Sequence, residues 1–240
     1  MLKKFNNNKI LIISHYADID GMGSIILGKY YFKEFDYLLA DNNHDFDLET
    51  DIDYHNYDTI YICDLGFNDK NLKYCLAHQD LALKIKNFDH HESEVEKNKY
   101  PFVNEVITWD GHLTSATELF YNYLLTLPNS DFLNSLFFQE LVEAIRRQDT
   151  WTFEETNNTL GPNLATLHAF LGAEPFIDLL TSLDCTGNFY LPKEYLDIVN
   201  KQNQDKDMSV KNYLEKSRLI EYQNYKIAVS IGEKYRSTVG

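Results

Sequence analysis

The order of apolar runs along the chain predicts an α/β protein in which a mostly parallel sheet is flanked by helices. Three observations carry that prediction. Short, nearly continuous apolar runs of strand length recur through roughly the first 100 residues, longer segments of helical period separate them, and after Thr114 the pattern turns helical. Lys9 to Ser14 (KILIIS) is the first such run and reads as a strand covered on both faces. An Asp-Ile-Asp-Gly turn follows, then a helix over Ser24 to Phe35 with Ile25, Ile26, Tyr30 and Phe32 as its apolar positions. Tyr37 to Ala40, Thr59 to Asp64 and Leu83 to Phe88 are the next strands, with a helix over Asp69 to His78 between the last two. The acidic stretch between residues 42 and 58 reads as a solvated loop, because it lacks the glycine and terminal glutamate of an EF-hand loop.

Thr114 or Ser115, with Glu118 just beyond, resembles a capping box that opens a helix to about Leu125, and Pro128 ends it. Phe132 to Arg147, Asn163 to Leu171 and Pro175 to Leu183 repeat the helical period. Residues 1–190 are therefore expected to form one domain. Residues 191–224 should form a helical connector, weakly broken near Asn203 to Asp207. Tyr225 to Ile231 returns to strand type, so 225–240 is expected to be the first strand of a C-terminal domain that is otherwise absent.

Charge narrows the function. With 22 Lys+Arg against 37 Asp+Glu the net charge is −15, and only Arg146, Arg147, Arg218 and Arg236 are arginine. Such a chain lacks the basic footprint that extensive duplex DNA binding requires. No apolar run of membrane-spanning length or signal peptide is present, and Cys63, Cys75 and Cys185 form no CxxC pair, so a cytoplasmic protein with filler cysteines is expected.

Four polar clusters lie just beyond predicted elements: His15, Asp18 and Asp20; Asp64; Asp89, His90 and His91; and Asp149. In parallel α/β sheets such loops converge at the carboxyl edge of the strands, where ligands bind. Carboxylates mixed with imidazoles and no cysteine suit hard or borderline divalent ions such as Mn²⁺. Asp18 and Asp20 flank Ile19, so in an extended turn they diverge and can feed two ions, with Asp64 shared between them. The other histidines (His44, His55, His78, His168) read as surface or satisfied polar residues.

In their order and spacing, IISHYADIDGMGS, YICDLG, FDHHES and RRQDTW resemble the DHH phosphoesterase superfamily, over roughly residues 9–150. That superfamily includes manganese pyrophosphatases and exopolyphosphatases, single-strand-specific exonucleases, nanoRNases and cyclic dinucleotide phosphodiesterases. The resemblance implies that His15, Asp18 and Asp64 hold one Mn²⁺, and Asp20, Asp64, His90 and Asp149 a second, with Mg²⁺ or Co²⁺ as substitutes. It also implies that Asp89 orients an imidazole and that His91 meets the substrate phosphate. Two residues separate His15 from Asp18, where most relatives are expected to have one or three, so the position of His15 is a point for the structure to decide.

The segment TWDGHLTSATELFYNYL is similar to the hydroxyl-rich helix start of nanoRNase-like members, which makes His112, Thr114 and Ser115 candidates for binding phosphate at a helix N-terminus. Arg146 and Arg147, beside Asp149, are further phosphate candidates. The leading expectation is a manganese-dependent phosphodiesterase that uses a metal-bridging hydroxide on a short single-stranded oligonucleotide or a small phosphorylated nucleotide. A pyrophosphatase or exopolyphosphatase, a cyclic dinucleotide phosphodiesterase and a noncatalytic nucleotide-binding module are the alternatives, and a homodimer is left open.

Overall fold

Alternation within the strands decides which layer each side chain enters. A computed structural model describes residues 2–3, 9–42, 46–156, 158–222 and 225–229, so His44 and the last two residues of the strand expected over 225–231 lie outside the described residues. The central sheet has five strands in the order β1 (Leu2–Lys3), β3 (Asp36–Ala40), β2 (Ile10–His15), β4 (Thr59–Cys63), β5 (Ile85–Phe88). The last four run parallel, and β1 is antiparallel at the edge, pairing Leu2 with Leu38. At two residues, β1 is too short to show a period in the sequence.

Leu11, Ile13, Ile60 and Ile62 face one layer, where they meet Leu72 and Cys75 of α2 (Asp69–Ala77) and Leu81 of α3 (Gln79–Ala82). Phe46, Leu48, Ile52, Tyr54 and Tyr57 join the same core. The acidic stretch before β4 is therefore more than a solvated loop: its apolar side chains close one face of the sheet while Glu49, Asp51, Asp53 and Asp58 stay outside. On the opposite face Tyr61 and Phe88 pack at 5.2 and 5.3 Å from the ring of Phe120 in α4 (Ala116–Leu125). There α1 (Ile19–Phe32) contacts α4, α5 (Leu136–Asp149) and α7 (Ala173–Thr181), and α6 (Leu160–Leu171) lies on α5. A short hairpin of β6 (Thr108–Trp109) and β7 (His112–Leu113) precedes α4.

Helix α1 starts five residues earlier than its apolar period suggests, inside what reads as a turn. Asp18 is the N-cap, and its Oδ1 accepts hydrogen bonds from the backbone N–H groups of Asp20 (3.0 Å) and Gly21 (3.2 Å). Gly21 is required at this point, because a Cβ there would stand 2.0 Å from the carbonyl oxygen of His15. The helix thus folds back directly onto the end of β2.

The chain divides into two compact units, Met1–Tyr190 and Leu191–Gly240. In the second, α8 (Lys193–Lys216) runs unbroken through Asn203 to Asp207, against the weak break expected there. Its polar residues are ordinary helix formers or solvated, so nothing in them interrupts the backbone hydrogen bonds. A hairpin follows, in which β8 (Arg218–Tyr222) pairs antiparallel with β9 (Tyr225–Val229). The strand expected as a first strand is thus the second of a pair. Among the described residues no helix is long and apolar enough to cross a membrane.

Candidate metal centre

Helix α1 carries the chain from β2 to β3 on one side, while β4 pairs with the other side of β2. The loops after β2 and β4 therefore part at the carboxyl edge, which is where an open parallel sheet makes a crevice. His15 is the last residue of β2, Asp18 caps α1 and Asp20 lies in its first turn. Asp64 follows β4 with φ of 57°, a left-handed backbone that aspartate tolerates better than most residues, and its N–H still bonds Phe88 across the sheet. Asp89 to His91 follow β5, and Asp149 ends α5.

These residues come together as three groups whose ligand atoms lie within 4.8 Å of one another: His15, Asp18 and Asp64; Asp20, His90 and Asp149; Asp64, His90 and His91. His15 Nδ1 lies 2.9 Å from Asp18 Oδ2 and 3.3 Å from Asp64 Oδ2. The two-residue spacing after His15 thus leaves its imidazole inside the cluster. His90 Nε2 stands 3.1 Å from Asp149, 3.5 Å from Asp64 and 3.6 Å from Asp20, yet it makes a hydrogen bond to none of them. Asp149 Oδ2 is likewise buried without a hydrogen-bond partner. Asp89 is fully buried, and its Oδ1 accepts from the His90 backbone N–H (2.8 Å) and meets His91 Nδ1 at 2.6 Å, while the His91 side chain stays half exposed.

Burial disfavours a charge on His90, but the carboxylates of Asp64, Asp20 and Asp149 outweigh it and push its pKa up to about 10. Burial likewise opposes a charge on His15, but its hydrogen bonds to Asp18 and Asp64 prevail and raise it to about 10. The hydrogen bond to Asp89 is the main cause that lifts His91 to about 9. Burial, with Asp64 and Asp18 nearby, raises Asp149 to about 7, and burial with Asp64 and Asp149 lifts Asp20 well above the carboxylate range. Among the described residues these acids meet only imidazoles as ion-pair partners. Closely set carboxylates and imidazoles, with ring and carboxylate atoms left unsatisfied inside, are the donor set that a hard or borderline divalent ion needs.

The phosphate candidates on the next elements are placed differently. Thr114 and Ser115 are buried, and the N-terminus of α4 is already filled: the Ala116 and Thr117 N–H groups donate to the two carboxylate oxygens of Asp20 at 2.7 and 2.9 Å. Ser115 Oγ accepts from the Glu118 N–H at 3.3 Å, and Thr114 Oγ1 donates to Glu118 Oε2 at 2.6 Å. The donors expected to bind a substrate phosphate therefore hold Asp20 of the cluster instead. Arg146 is buried and forks onto Glu143 with a further bond to the Leu113 carbonyl, and Arg147 Nε meets Glu143 at 2.5 Å. Both arginines are neutralised within their own helix rather than aimed at a phosphate. His112 Nε2 lies 2.9 Å from Glu118 Oε1, in the same internal network.

His168, read as a surface or satisfied polar residue, belongs with the site. It is 7% exposed, lines a cavity of about 280 Å³ together with Asp18, Asp20 and Asp149, and its Nε2 has no hydrogen-bond partner. Burial holds its pKa below the ordinary value, so the ring is neutral at pH 7. Its period in α6 with Leu164 was the available signal, since that face is buried. His55 is exposed, and His78 packs 4.1 Å from the ring of Tyr74.

The fold and this edge define an α/β domain with a histidine and carboxylate centre. The DHH family's N-terminal domain matches residues 9–170, and the chain belongs to the DHH family. Among characterised proteins it is 25% identical over 238 residues to Oligoribonuclease NrnB of Bacillus subtilis (strain 168), a match that covers 94% of this chain and 58% of that protein. The chain thus spans less than two thirds of that relative's length. An uncharacterised protein from Helicobacter pylori G27 shares the fold at a TM-score of 0.55 and 16% identity, over 92% of this chain and 74% of the other. A looser likeness, to exonuclease RecJ bound to manganese, has a TM-score of 0.44 at 13% identity, over 86% and 64%.

Proposed function

We propose that this chain carries the centre of a cytoplasmic, divalent-metal-dependent phosphodiesterase that acts on short oligonucleotides, with two Mn²⁺ ions as its cofactor. The observation that carries the reading is the unsatisfied pair His90 Nε2 and Asp149 Oδ2, 3.1 Å apart and buried among Asp20 and Asp64. Such a pair is costly unless something else occupies the space between them. The name of the Bacillus relative supports the oligonucleotide substrate.

His15, Asp18 and Asp64 would hold one ion and Asp20, Asp64, His90 and Asp149 the other, with Asp64 common to both. Bound divalent ions would supply Lewis acidity toward a phosphoryl oxygen and activation of water at neutral pH. The chain's own residues do the rest. The α4 N-terminus fixes both oxygens of Asp20 and so leaves its carboxylate no freedom to swing. Asp89 holds His91 by Nδ1, so that the half-exposed imidazole presents its other nitrogen to a phosphate oxygen or to the leaving oxygen, as hydrogen-bond donor or acid.

The test incubates the protein with labelled di- and trinucleotide RNA in Mn²⁺, Mg²⁺ or Co²⁺, beside a chelated control and Asp64→Asn. Product in Mn²⁺ that disappears in both controls is expected. Equal product in all of them overturns the metal centre, and release of phosphate from pyrophosphate with no cleavage of RNA overturns the substrate.

A further inference from the structure

Beside the carboxylates the cavity changes character. Asp18, Asp20 and Asp149 form one side, while Ala17, Ala165 and Ala169 make small apolar walls and Trp151 stands at the rim. At about 280 Å³ it is near the lower end of the ~300–1,000 Å³ usual for small-molecule sites. Two buried polar atoms on its lining residues have no partner: Nε2 of His168, which is 7% exposed, and Oε1 of Gln148. An apolar slot with a few unsatisfied polar atoms suits a flat heterocycle better than it suits a bare phosphate.

Trp151 points the same way. It follows α5 at the position where helices usually end on glycine in a left-handed conformation, and its own φ is 58°. A bulky side chain there is unfavourable, and burial does not offset it, because Trp151 is 77% exposed. Within the protein the indole meets the Phe153 ring at 6.0 Å and a tilt of 44°, yet most of it stays in solvent on a strained backbone two residues beyond Asp149, which leaves it available as an aromatic platform.

We propose that this slot seats a nucleobase next to the scissile phosphate, with Trp151 stacking on its face and His168 and Gln148 hydrogen-bonding its edge. The proposal rests on the nucleotide substrate argued above and makes it narrower: the enzyme recognises a base, not only a phosphate chain. Alanine at 17, 165 and 169 leaves room for the ring, and neutral His168, whose ring already bonds the Tyr16 backbone, presents Nε2 to it as an acceptor.

The chain holds two tryptophans, Trp109 and Trp151, so in a Trp109→Phe background fluorescence reports Trp151 alone. With Mn²⁺ present, adenosine 5′-monophosphate is expected to quench it saturably and ribose 5-phosphate to leave it unchanged. Equal responses to the two, or none to either, overturn the base seat. In kinetics with dinucleotide RNA, Trp151→Gly should raise KM about tenfold with kcat little changed, and Trp151→Phe should recover most of the loss. A purely structural indole predicts a lower Tm for Trp151→Gly, whereas relief of the backbone predicts an equal or higher one. If the wild-type protein cleaves RNA yet Trp151→Gly keeps the wild-type KM, the seat is wrong and the phosphodiesterase stands. If no RNA is cleaved while quenching by the base persists, the reverse holds.

Discussion

Two charged clusters less than a helix apart treat their ions in opposite ways. Around Glu143 every charge is answered from within: Arg146 and Arg147 grip its carboxylate, and Glu118 nearby takes His112 and Thr114. Around Asp64 the carboxylates have, among the described residues, only imidazoles as ion-pair partners, and His90 and Asp149 keep atoms with no hydrogen bond. Both clusters stand out in the sequence as candidates for phosphate chemistry. What separates them is satisfaction: a closed network stabilises the fold, while an open one stores binding energy for a ligand.

The strongest way to break that contrast is to remove the shared carboxylate. Asp64→Asn should lower RNA cleavage by more than the roughly 10- to 100-fold that an outer partner of a metal ligand typically costs. In the absence of metal its Tm should change little, since the amide relieves Asp20 and Asp149 of a like charge while His15 and His90 lose one of their partners. A chelated-state Tm several degrees below wild type would mean that Asp64 supports the fold rather than the ligand.

The pH response sharpens the same point. The folded-state values of His15 and His90 are raised to about 10 and that of Asp149 to about 7. A raised folded value gives stability that is complete below the unfolded value and is lost as pH rises through the folded one. Metal-free protein should therefore lose Tm as pH rises from about 4 to 7 on account of Asp149, and from about 6.5 to 10 on account of the two imidazoles, because over those ranges the unfolded chain gives up protons that the folded one still holds. Added Mn²⁺ needs those protons gone, so it should raise Tm more at the alkaline end, and calorimetry in two buffers should register proton release on binding. A metal-induced rise in Tm that is largest at acid pH would contradict the ligand set.

Glu143→Gln should act on the other cluster alone. Arg146 is buried, so loss of its carboxylate should cost about 1–2 kcal/mol, below the 3–5 kcal/mol of a fully buried pair because Glu143 is 40% exposed. Burial works against the Glu143 charge, but Arg146 and Arg147 hold its pKa below the ordinary value. The wild-type contribution is therefore present above that ordinary value and lost as pH falls through the depressed one. Denaturant melts near neutral and acid pH should converge for the two proteins on the acid side. KM for RNA should stay within about twofold, and a tenfold rise would show that the arginines serve the substrate after all.

How much of this was readable before the structure depends on the range of the interaction. The parallel sheet and the carboxyl-edge placement of His15, Asp18, Asp64 and His90 follow from short motifs set just after apolar runs, because local period and parallel topology together fix that edge. What fills the N-terminus of α4 does not follow, since Asp20 reaches it from 96 residues away and no pattern near Thr114 marks it as taken. His168 reads as a satisfied polar residue, and Trp151 carries no signal of its own, for a related reason: a buried helix face and an aromatic after a motif look like packing until the cavity beside them is seen.

His112 provides the smallest effect and the finest discrimination. It lies 2.9 Å from Glu118 with its side chain 38% exposed, an arrangement partly open to solvent and worth about 0.2–1 kcal/mol in such pairs. If its partner is Glu118, His112→Asn should lower stability by that amount and leave KM for dinucleotide RNA near the wild-type value. If instead the imidazole swings to a phosphate, KM should rise severalfold with substrate and the stability should not change. The ratio of the two readouts assigns His112 to the closed network or to the open one, since Glu118 also holds Thr114 and keeps its place in either variant.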